Sequence, residues 1–430
     1  MLDCTMTYRR RIIDEALDEL LPELAAIALE GAKAVGKTAT GAQRARTVID
    51  LSDPAMRQVI QADADLITQS PPPVLIDEWQ LEPPVWDRVR RAVDADSAGG
   101  RFLLTGSAGV GPGVPIHSGA GRIVSLRMRP LSFAERGVCE PTVSLRAVLA
   151  GEQPPIVGHS PITLTEYVDE ILRSGFPGIR DIAPRARDLQ LDSYLSRVVE
   201  HELAVNGMSV RRPTALRAWL AGYAAATSTD VSYTAILDAA TAGASDKPVR
   251  QTADTYRDHL ERLFLLDPLP AWIPSFSPLR RLTHTPKHHL VDPALAARLV
   301  GVQAEGLLRG EGVRVRARSD TGTWLGALFE SLVVQSVRTY ADATHATVGH
   351  LRTKSTEREI DLIVERADRS IVAIEIKLSA TVEDKDVRHL TWLRGQLPDR
   401  VVDTVVINTG VHAYRRSDGV SVIPMALLGP

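Results

Sequence analysis

The chain has 430 residues, of which 44% are hydrophobic and 24% charged, and its formal net charge is -3. This length predicts two or three globular domains, and the small net charge argues against a uniformly basic nucleic-acid-binding protein. Two cysteines, Cys4 and Cys139, are too few for a disulfide framework or a zinc site. The sequence also shows no apolar run of about 18 residues and no signal-peptide pattern, so we expect a cytoplasmic protein that does not associate with a membrane.

The first predicted elements in chain order are an amphipathic helix and a short buried strand. Apolar residues recur at helical spacing within residues 12–21, and residues 24–29 form an apolar run of strand length. A glycine-containing loop follows, and the residues after it favour a helix. The order strand, glycine loop, helix is the context in which a phosphate-binding loop works.

The loop itself reads G-x-x-x-x-G-K-T, the pattern of a phosphate-binding loop. Its backbone N–H groups are expected to surround a β-phosphate at the positive end of the helix. Lys37 is predicted to neutralise the β- and γ-phosphate oxygens and the Thr38 hydroxyl to bind Mg²⁺. A chance Gly-Lys-Thr at a helix start is the alternative, and the preceding strand favours ATP binding. The predicted nucleotide-binding residues are Gly31, Ala32, Lys33, Ala34, Val35, Gly36, Lys37, Thr38 and Ala39.

Two later strand ends carry side chains that ATP hydrolysis needs. Asp77 and Glu78 follow an apolar strand; Asp77 is predicted to reach Mg²⁺ through water and Glu78 to act as the general base. A solvated turn after a buried strand is the alternative. A further strand ends in Thr105 and Ser107, where a sensor of the γ-phosphate is expected. These signals, in this order, predict an ATP-hydrolysing enzyme.

The remaining signals of the first domain complete its sheet. Residues 47–51 and 121–126 predict further strands, and strands that alternate with helices predict a mostly parallel sheet covered on both faces. The Gly- and Pro-rich segment 109–121 predicts a loop beside the nucleotide. Arg122 is a candidate arginine finger, acting in cis or on a neighbouring subunit of a homo-oligomer. The alternative is a solvated charge at a strand end.

Together these motifs resemble the AAA+-type ATPases of bacteria and archaea that carry an uncharacterised C-terminal region. The resemblance implies an ATPase core, a winged-helix module and a domain related to the PD-(D/E)XK nucleases, but no cellular role. The resemblance rests on the motifs GAKAVGKT, LIDEWQ and LLTGSA and on Gly121-Arg122 before residues 129–133. It continues through residues 172–177, Tyr194, 285–287 and 291–292.

The predicted fold class is therefore α/β with four parts. A P-loop ATPase core with a parallel sheet covers residues 1–140, and a linker with a helical lid covers 141–205. A winged helix-turn-helix-like part covers 206–305, and a restriction-endonuclease-like α/β domain covers 306–430.

Between about residues 207 and 300, three helical patterns followed by a short strand at 263–268 fit a winged helix-turn-helix. Polar residues on or near the third helix are candidates for contacts with the phosphates or bases of DNA or RNA. An interaction or lid module that binds no nucleic acid fits the same pattern equally well. The candidate residues are Arg250, Gln251, Thr252, Thr255 and Arg257.

The C-terminal part predicts a β-hairpin formed by residues 359–364 and 371–377. A turn centred between Asp368 and Arg369 places Asp361 opposite Ile376, next to Glu375. Because side chains alternate along a strand, Glu375 and Lys377 lie on the same face of the sheet.

Asp361, Glu375 and Lys377, with Glu330 on the preceding helix, match the D…E-x-K arrangement of the PD-(D/E)XK nucleases. In that arrangement the carboxylates bind Mg²⁺ and the lysine orients or deprotonates the attacking water. A retained fold with a structural cluster of ion pairs is the alternative.

Two functions remain open at this point. The first is a Mg²⁺-dependent ATPase whose nucleotide state controls C-terminal nucleic-acid-binding or nuclease-like domains. The alternative is a regulatory ATPase switch that binds a protein partner and carries a catalytically dead nuclease-like domain.

Overall fold

The computed structural model describes residues 8–108, 118–205, 212–241, 250–274, 285–309, 324–353 and 358–430. The chain divides into two compact units. Unit 1 contains residues 1–130, 201–209 and 259–265, and unit 2 contains residues 131–200, 210–258 and 266–430. Within the described stretches, no helix has the length and apolar character needed to cross a membrane.

Unit 1 contains a parallel sheet in the order β2-β3-β4-β1-β5. This agrees with the expected mostly parallel sheet, although the first strand begins two residues later than predicted and the fifth three residues later. The elements are α1 Ile13–Leu20, β1 Ala26–Glu30, α2 Lys37–Ala42, β2 Thr47–Asp50, α3 Pro54–Ala62, α4 Leu66–Gln69, β3 Val74–Asp77, α5 Pro84–Ala95, β4 Phe102–Gly106 and β5 Val124–Arg127.

Helices cover both faces of this sheet, which is why its central strands read as continuous apolar runs. Leu17 of α1 packs with Ile27 and Leu103 on one face. On the other face, Val89 of α5 packs in a cluster with Ile76. The carboxyl ends of the adjacent strands β3, β4 and β1 therefore lie at one edge of a rigid, buried sheet.

The chain after Arg127 forms the following elements: β6 Val143–Ser144, α6 Leu145–Leu149, β7 Gly158–His159, α7 Leu164–Arg173, α8 Pro177–Arg180, α9 Pro184–Arg197, α10 Leu203–Val205, α11 Pro213–Ala225, α12 Tyr233–Ala240, α13 Arg250–Arg262, α14 Pro293–Val300, α15 Ala304–Leu308, α16 Trp324–Asp342, β8 Thr347–Arg352, β9 Glu359–Glu365, β10 Ile371–Ile376, α17 Asp384–Gln396, β11 Val401–Asn408, β12 His412–Arg415, β13 Ser421–Pro424 and β14 Leu428–Gly429.

Unit 2 contains a mixed sheet in the order β7-β12-β13-β11-β10-β9-β8. Strand β10 is parallel to β11 and antiparallel to β9. Every residue of β10 is buried, and Leu390 of α17 packs in one apolar cluster with Ala373 of β10 and Ile363 of β9. The hairpin β9–β10 is thus held in the interior of unit 2.

The predicted hairpin is present, but its register differs from the expectation by one residue. Strand β9 pairs with β10 through Glu365 opposite Ile371 and Leu362 opposite Ile374. Continued by one residue, this register places Asp361 opposite Glu375, not opposite Ile376. The reason is that the loop spans residues 366–370 and is therefore centred on Asp368, with Arg369 in the left-handed region at φ 69°.

The predicted helices of the middle region correspond to α11, α12 and α13. The short strand expected after them is reduced, among the described residues, to isolated antiparallel bridges between Leu266 and Leu290 and between Leu269 and Lys287. Residues 242–249, most of the loop predicted at 109–121, and the side chain of Arg250 fall outside the described residues. The winged helix-turn-helix stays a prediction.

Candidate functional site

The loop between β1 and α2 has the backbone geometry of a tight cradle. Gly36 has φ 101°, in the left-handed region that favours glycine. A Cβ atom at Gly31 would come within 2.1 Å of the Met128 carbonyl oxygen, so that close approach also requires glycine. Ala34 adds a third left-handed position at φ 68°. The motif therefore needs glycine at Gly36, where the loop turns, and at Gly31, where the loop approaches the backbone of Met128.

Lys37 is buried inside this loop, 5% exposed, and its Nζ donates to the carbonyl oxygens of Gly31 and Ala32, each at 2.9 Å. Burial lowers the pKa of Lys37 to about 8, against the nearby charges of Glu78 and Asp77, which raise it. A buried ammonium whose direct partners are neutral carbonyls fits a loop built for an anion, because a phosphate would be the stronger partner.

Asp77 lies between hydroxyl groups from two neighbouring elements. The Thr38 hydroxyl at the start of α2 donates to Asp77 Oδ1 at 2.9 Å, and the Thr105 hydroxyl at the end of β4 donates to the same oxygen. Asp77 is 7% exposed. The sheet order places β3 beside β4 and β4 beside β1, so these side chains meet at the carboxyl ends of adjacent strands. An oxygen-only set of this kind fits Mg²⁺.

Glu78 is held next to this group by its backbone and by its neighbours. Its φ of 52° lies in the left-handed region, which is uncommon for a residue other than glycine and recurs at functional sites. The Ser107 hydroxyl donates to Glu78 Oε2 at 3.1 Å. The Gln80 amide donates to the same carboxylate oxygen and to Ser107 Oγ, the latter at 3.3 Å. The structure thus brings Ser107 to Glu78, and Thr105 to Asp77.

Two supporting residues were not among the predicted site residues. Gln80 contacts Glu78 because residues 79–81 form a 3₁₀ turn directly after the strand. Arg11, in front of α1, is 5% exposed and donates to the carbonyl oxygens of Val35 and Arg129, each at 2.8 Å. It therefore ties the phosphate-binding loop to the segment after β5. Its long sequence separation from both partners explains why sequence patterns did not identify it.

Arg122 lies at the surface of unit 1, with its side chain 47% exposed. Its Nε donates to Asp94 Oδ1 at 2.8 Å, and this hydrogen bond holds the pKa of Asp94 below its usual value. The contact is that of an exposed ion pair at the end of α5. The arginine-finger role stays a prediction.

The predicted C-terminal metal ligands have an unexpected partner, the ammonium of Lys287. Its Nζ lies 2.8 Å from Glu330 Oε1, 2.9 Å from Asp361 Oδ1 and 3.0 Å from Glu359 Oε1. In the part of the chain that the structure describes, no group of three or more His, Cys, Asp or Glu side chains could hold a metal ion as it stands. Glu330, Glu359 and Asp361 do not fit a bound Mg²⁺ while Lys287 lies among them.

Glu375 and Lys377 form a separate pair on the same hairpin, with Lys377 Nζ 2.8 Å from Glu375 Oε1. Burial, together with the charge of Asp361, raises the pKa of Glu375 to about 8. Burial opposes the charged form of Lys377, but Glu375 and Asp361 hold the pKa of Lys377 above its ordinary value. In the structure the D…E-x-K residues are thus engaged in ion pairs, and their role in metal binding stays a prediction.

The candidate nucleic-acid contacts on α13 have partners within unit 2. The Thr255 hydroxyl donates to the Gln251 carbonyl oxygen at 2.9 Å. Arg257 pairs with Asp258 at 2.9 Å and lies over the Tyr233 ring at 4.8 Å. These contacts leave the nucleic-acid interface a prediction.

Comparison with protein families divides the chain into three matched segments. Residues 24–137 match the model of the AAA domain. This segment is therefore similar to AAA-type P-loop ATPase domains. Residues 164–306 match a domain of unknown function (DUF8612), and residues 325–428 match another domain of unknown function (DUF4143). The prediction of a P-loop ATPase is confirmed at this level, whereas the nuclease-like assignment stays a prediction.

Comparison with solved structures yields distant matches. The Walker-type ATPase PABY2304 of Pyrococcus abyssi is 14% identical, with 66% of this chain and 94% of that chain covered and a TM-score of 0.38. The Drosophila origin recognition complex (ORC) bound to DNA is 13% identical, with 70% and 95% covered and a TM-score of 0.23. Both TM-scores are too low to indicate a function. A search of curated proteins found no match.

Proposed function

We propose that this chain binds ATP together with Mg²⁺ and hydrolyses it, with residues 24–137 as the ATPase domain. The observation that carries the proposal is the meeting of Lys37, Thr38, Asp77 and Glu78 at the carboxyl ends of adjacent parallel strands. A cation, a hydroxyl, a metal-binding carboxylate and a second carboxylate at one edge are the groups that phosphoryl transfer to water requires.

Each residue has a distinct role in this proposal. Lys37 binds the phosphates by turning its Nζ from the carbonyl oxygens of Gly31 and Ala32 to phosphate oxygens. Thr38 Oγ1 and Asp77 would hold Mg²⁺, which when bound neutralises charge on the phosphates. Because the Thr38 hydroxyl already contacts Asp77, little rearrangement of these side chains is needed.

Glu78 is the general base in this proposal. Ser107 and Gln80 both donate to its Oε2, so we assign Oε1 to accept the proton of the attacking water. The same donors fix the direction of the carboxylate, and Thr105 does so for Asp77. In this proposal Thr105 and Ser107 orient the two acidic residues, in addition to the γ-phosphate sensing expected from the sequence.

The experiment that tests this function measures ATP binding by calorimetry and phosphate release with Mg²⁺, with and without EDTA. Wild-type protein is expected to bind ATP and to release phosphate only with the metal. Lys385→Ala is a matched control for lysine substitutions, since Lys385 is exposed on α17 and forms a surface ion pair with Glu383. Absence of ATP binding by folded wild-type protein contradicts the proposal.

For unit 2 we propose that the nucleotide state of the ATPase domain controls whether unit 2 binds its partner. One specific contact favours a regulatory switch with a protein partner over a nuclease: the carboxylates Glu330 and Asp361 are already paired with Lys287. Salt-dependent binding of DNA or RNA, with cleavage only when Mg²⁺ is present, would instead support the nucleic-acid function. Filter binding and plasmid cleavage, each with and without ATP, distinguish the two.

A further inference from the structure

One buried ammonium group is the common partner of three carboxylates in unit 2. Lys287 is 1% exposed, and its Nζ lies 2.8 to 3.0 Å from oxygens of Glu330, Asp361 and Glu359. Three anionic oxygens therefore converge on one point in the interior, and the cation at that point belongs to the chain itself.

We propose that Lys287 is a built-in substitute for a divalent cation. Its ammonium closes the cluster of Glu330, Glu359 and Asp361 to metal ions, and the same cluster without the ammonium is a binding site for a divalent cation. The charges support this exchange: a divalent cation would bring two positive charges to the three carboxylates, where the ammonium brings one.

The cluster is built on rigid elements, so its oxygens stay converged when the ammonium is removed. Glu330 lies in the buried helix α16, and Glu359 and Asp361 are two residues apart on β9 and thus on one face. The second carboxylate oxygen of Asp361 accepts a hydrogen bond from the Ile376 N–H at 2.9 Å. Lys287 is placed from outside these elements, through backbone hydrogen bonds with Leu269 in both directions at 2.9 Å.

A second observation points to an additional ligand for a cation. Glu375, which the hairpin register places opposite Asp361, is 9% exposed. Among the described residues, its Oε2 has no hydrogen-bond partner, while Oε1 pairs with Lys377. A buried carboxylate oxygen without a partner is costly, and a cation in the adjacent cluster would supply one.

The distances indicate which divalent cation the cluster prefers. Ca²⁺ binds carboxylate oxygens at roughly 2.3–2.6 Å and accepts irregular geometry, whereas Mg²⁺ requires about 2.0–2.1 Å and a near-octahedral arrangement. The oxygens lie 2.8 to 3.0 Å from the Lys287 Nζ. Ca²⁺ therefore needs the smaller inward movement, and we expect it to bind more tightly than Mg²⁺.

The test uses the full chain with Asp77→Asn, which removes the metal site of the ATPase domain, and adds Lys287→Met. The Lys287→Met chain should be destabilised without divalent cations, and millimolar CaCl₂ should raise its Tm by about 5 °C or more, with a smaller rise in MgCl₂. The matched control adds Glu330→Gln and Asp361→Asn, which neutralises two of the three carboxylates. It should be more stable than the Lys287→Met chain without Ca²⁺, and Ca²⁺ should not change its Tm.

Two results overturn the inference. One is a Lys287→Met chain that gains no more from Ca²⁺ than the control does, including a chain that stays unfolded in Ca²⁺. The other result concerns the chain that keeps Lys287 and carries only Asp77→Asn. If calorimetry shows tight Ca²⁺ binding to this chain, and if adding Glu330→Gln abolishes that binding, the native cluster is open to metal. A Lys287→Met chain that folds only in Ca²⁺ supports the inference.

Discussion

Asp77 in unit 1 and Asp361 in unit 2 are both buried acidic residues on strands, yet their partners differ in charge. Asp77 receives hydrogen bonds from the neutral hydroxyls of Thr38 and Thr105. Asp361 receives the ammonium of Lys287, which it shares with Glu330. Neutral donors orient a carboxylate and leave its charge to attract a cation. An ammonium of the chain itself neutralises part of that charge, so less of it is left to attract a cation from solution.

The comparison teaches that an acidic motif alone does not tell whether a site is open to a metal ion. A buried ion pair contributes little net stability, but removal of one partner is costly because the other charge stays buried without compensation. We therefore expect substitutions in unit 1 to impair ATP binding and hydrolysis while unit 1 stays folded, and substitutions in unit 2 to lower the free energy of unfolding while ATP hydrolysis continues.

The largest effect should come from Glu78→Gln, which keeps the shape of the side chain and its contact with Ser107 but removes the base. ATP should still bind, and turnover should fall by about two orders of magnitude or more. Phosphate release at saturating ATP, with ATP affinity measured separately, checks this. Turnover within a few-fold of wild type would mean that another residue accepts the proton.

On the other side of the comparison, Asp361→Ala should lower the free energy of unfolding by about 3 kcal/mol, because a buried ammonium loses a partner. ATP hydrolysis, at a temperature where the variant is folded, should stay within a few-fold of wild type. Urea unfolding and phosphate release measure the two quantities. A variant as stable as wild type would show that Asp361 contributes no buried ion pair.

Lys37→Ala should weaken ATP binding by roughly 10- to 100-fold, the effect of one lost charge-assisted contact of about 1.5–3 kcal/mol. Folding should be little affected, since the direct partners of the ammonium are neutral carbonyl oxygens of its own loop. Calorimetry with ATP and Mg²⁺ checks this against Lys385→Ala. Unchanged ATP affinity would refute the phosphate-binding role.

A pH dependence of stability is also expected from a buried histidine of unit 2. His350 is buried with its Nε2 2.9 Å from the Thr285 carbonyl oxygen. Burial and the charge of Lys287 lower the pKa of His350 to about 4 against the opposing effects of Glu359 and Asp230. The unfolded chain binds a proton below about pH 6.5 that the folded chain binds only below about pH 4, so stability is lost as the pH falls through this window.

His350→Gln, which retains a hydrogen-bond donor, should remove this contribution. Between pH 7 and pH 5 the wild-type free energy of unfolding should fall by roughly 2 kcal/mol more than that of the variant. The difference between the two chains isolates His350 from the buried neighbours His288 and His289, whose pKa values burial also lowers. Parallel urea curves at both pH values test this, and equal pH dependence would contradict it.

The sequence predicted those features that depend on neighbouring residues. The glycine loop, Asp77-Glu78 and the hydroxyls after β4 sit at ends of parallel strands, and parallel strands bring their carboxyl ends together whatever the rest of the fold is. The hairpin and the shared face of Glu375 and Lys377 followed from side-chain alternation. The predicted pairing register of the two strands was wrong by one residue, because the length of the loop was not known.

The features that were not predicted depend on contacts between distant residues. Lys287 lies far in sequence from Asp361, and its position is set by backbone pairing with Leu269. Arg11 reaches Val35 and Arg129 for the same kind of reason. A single lysine or arginine carries no local signal of a partner that is distant in sequence, so such contacts require the three-dimensional structure.

The smallest effect is expected from Arg122→Ala, which decides whether unit 1 supplies an arginine finger. Arg122 lies at the surface and pairs with Asp94, and exposed ion pairs of this kind contribute little. If that pair is its whole role, ATP turnover should stay within a few-fold of wild type at every protein concentration. An arginine finger would instead cost about 10³-fold or more, because its charge stabilises the transition state. Should turnover fall that far, mixing Arg122→Ala with Glu78→Gln protein separates the two modes of action: recovery of activity in the mixture shows a finger that acts on a neighbouring subunit, and no recovery shows one that acts within its own chain.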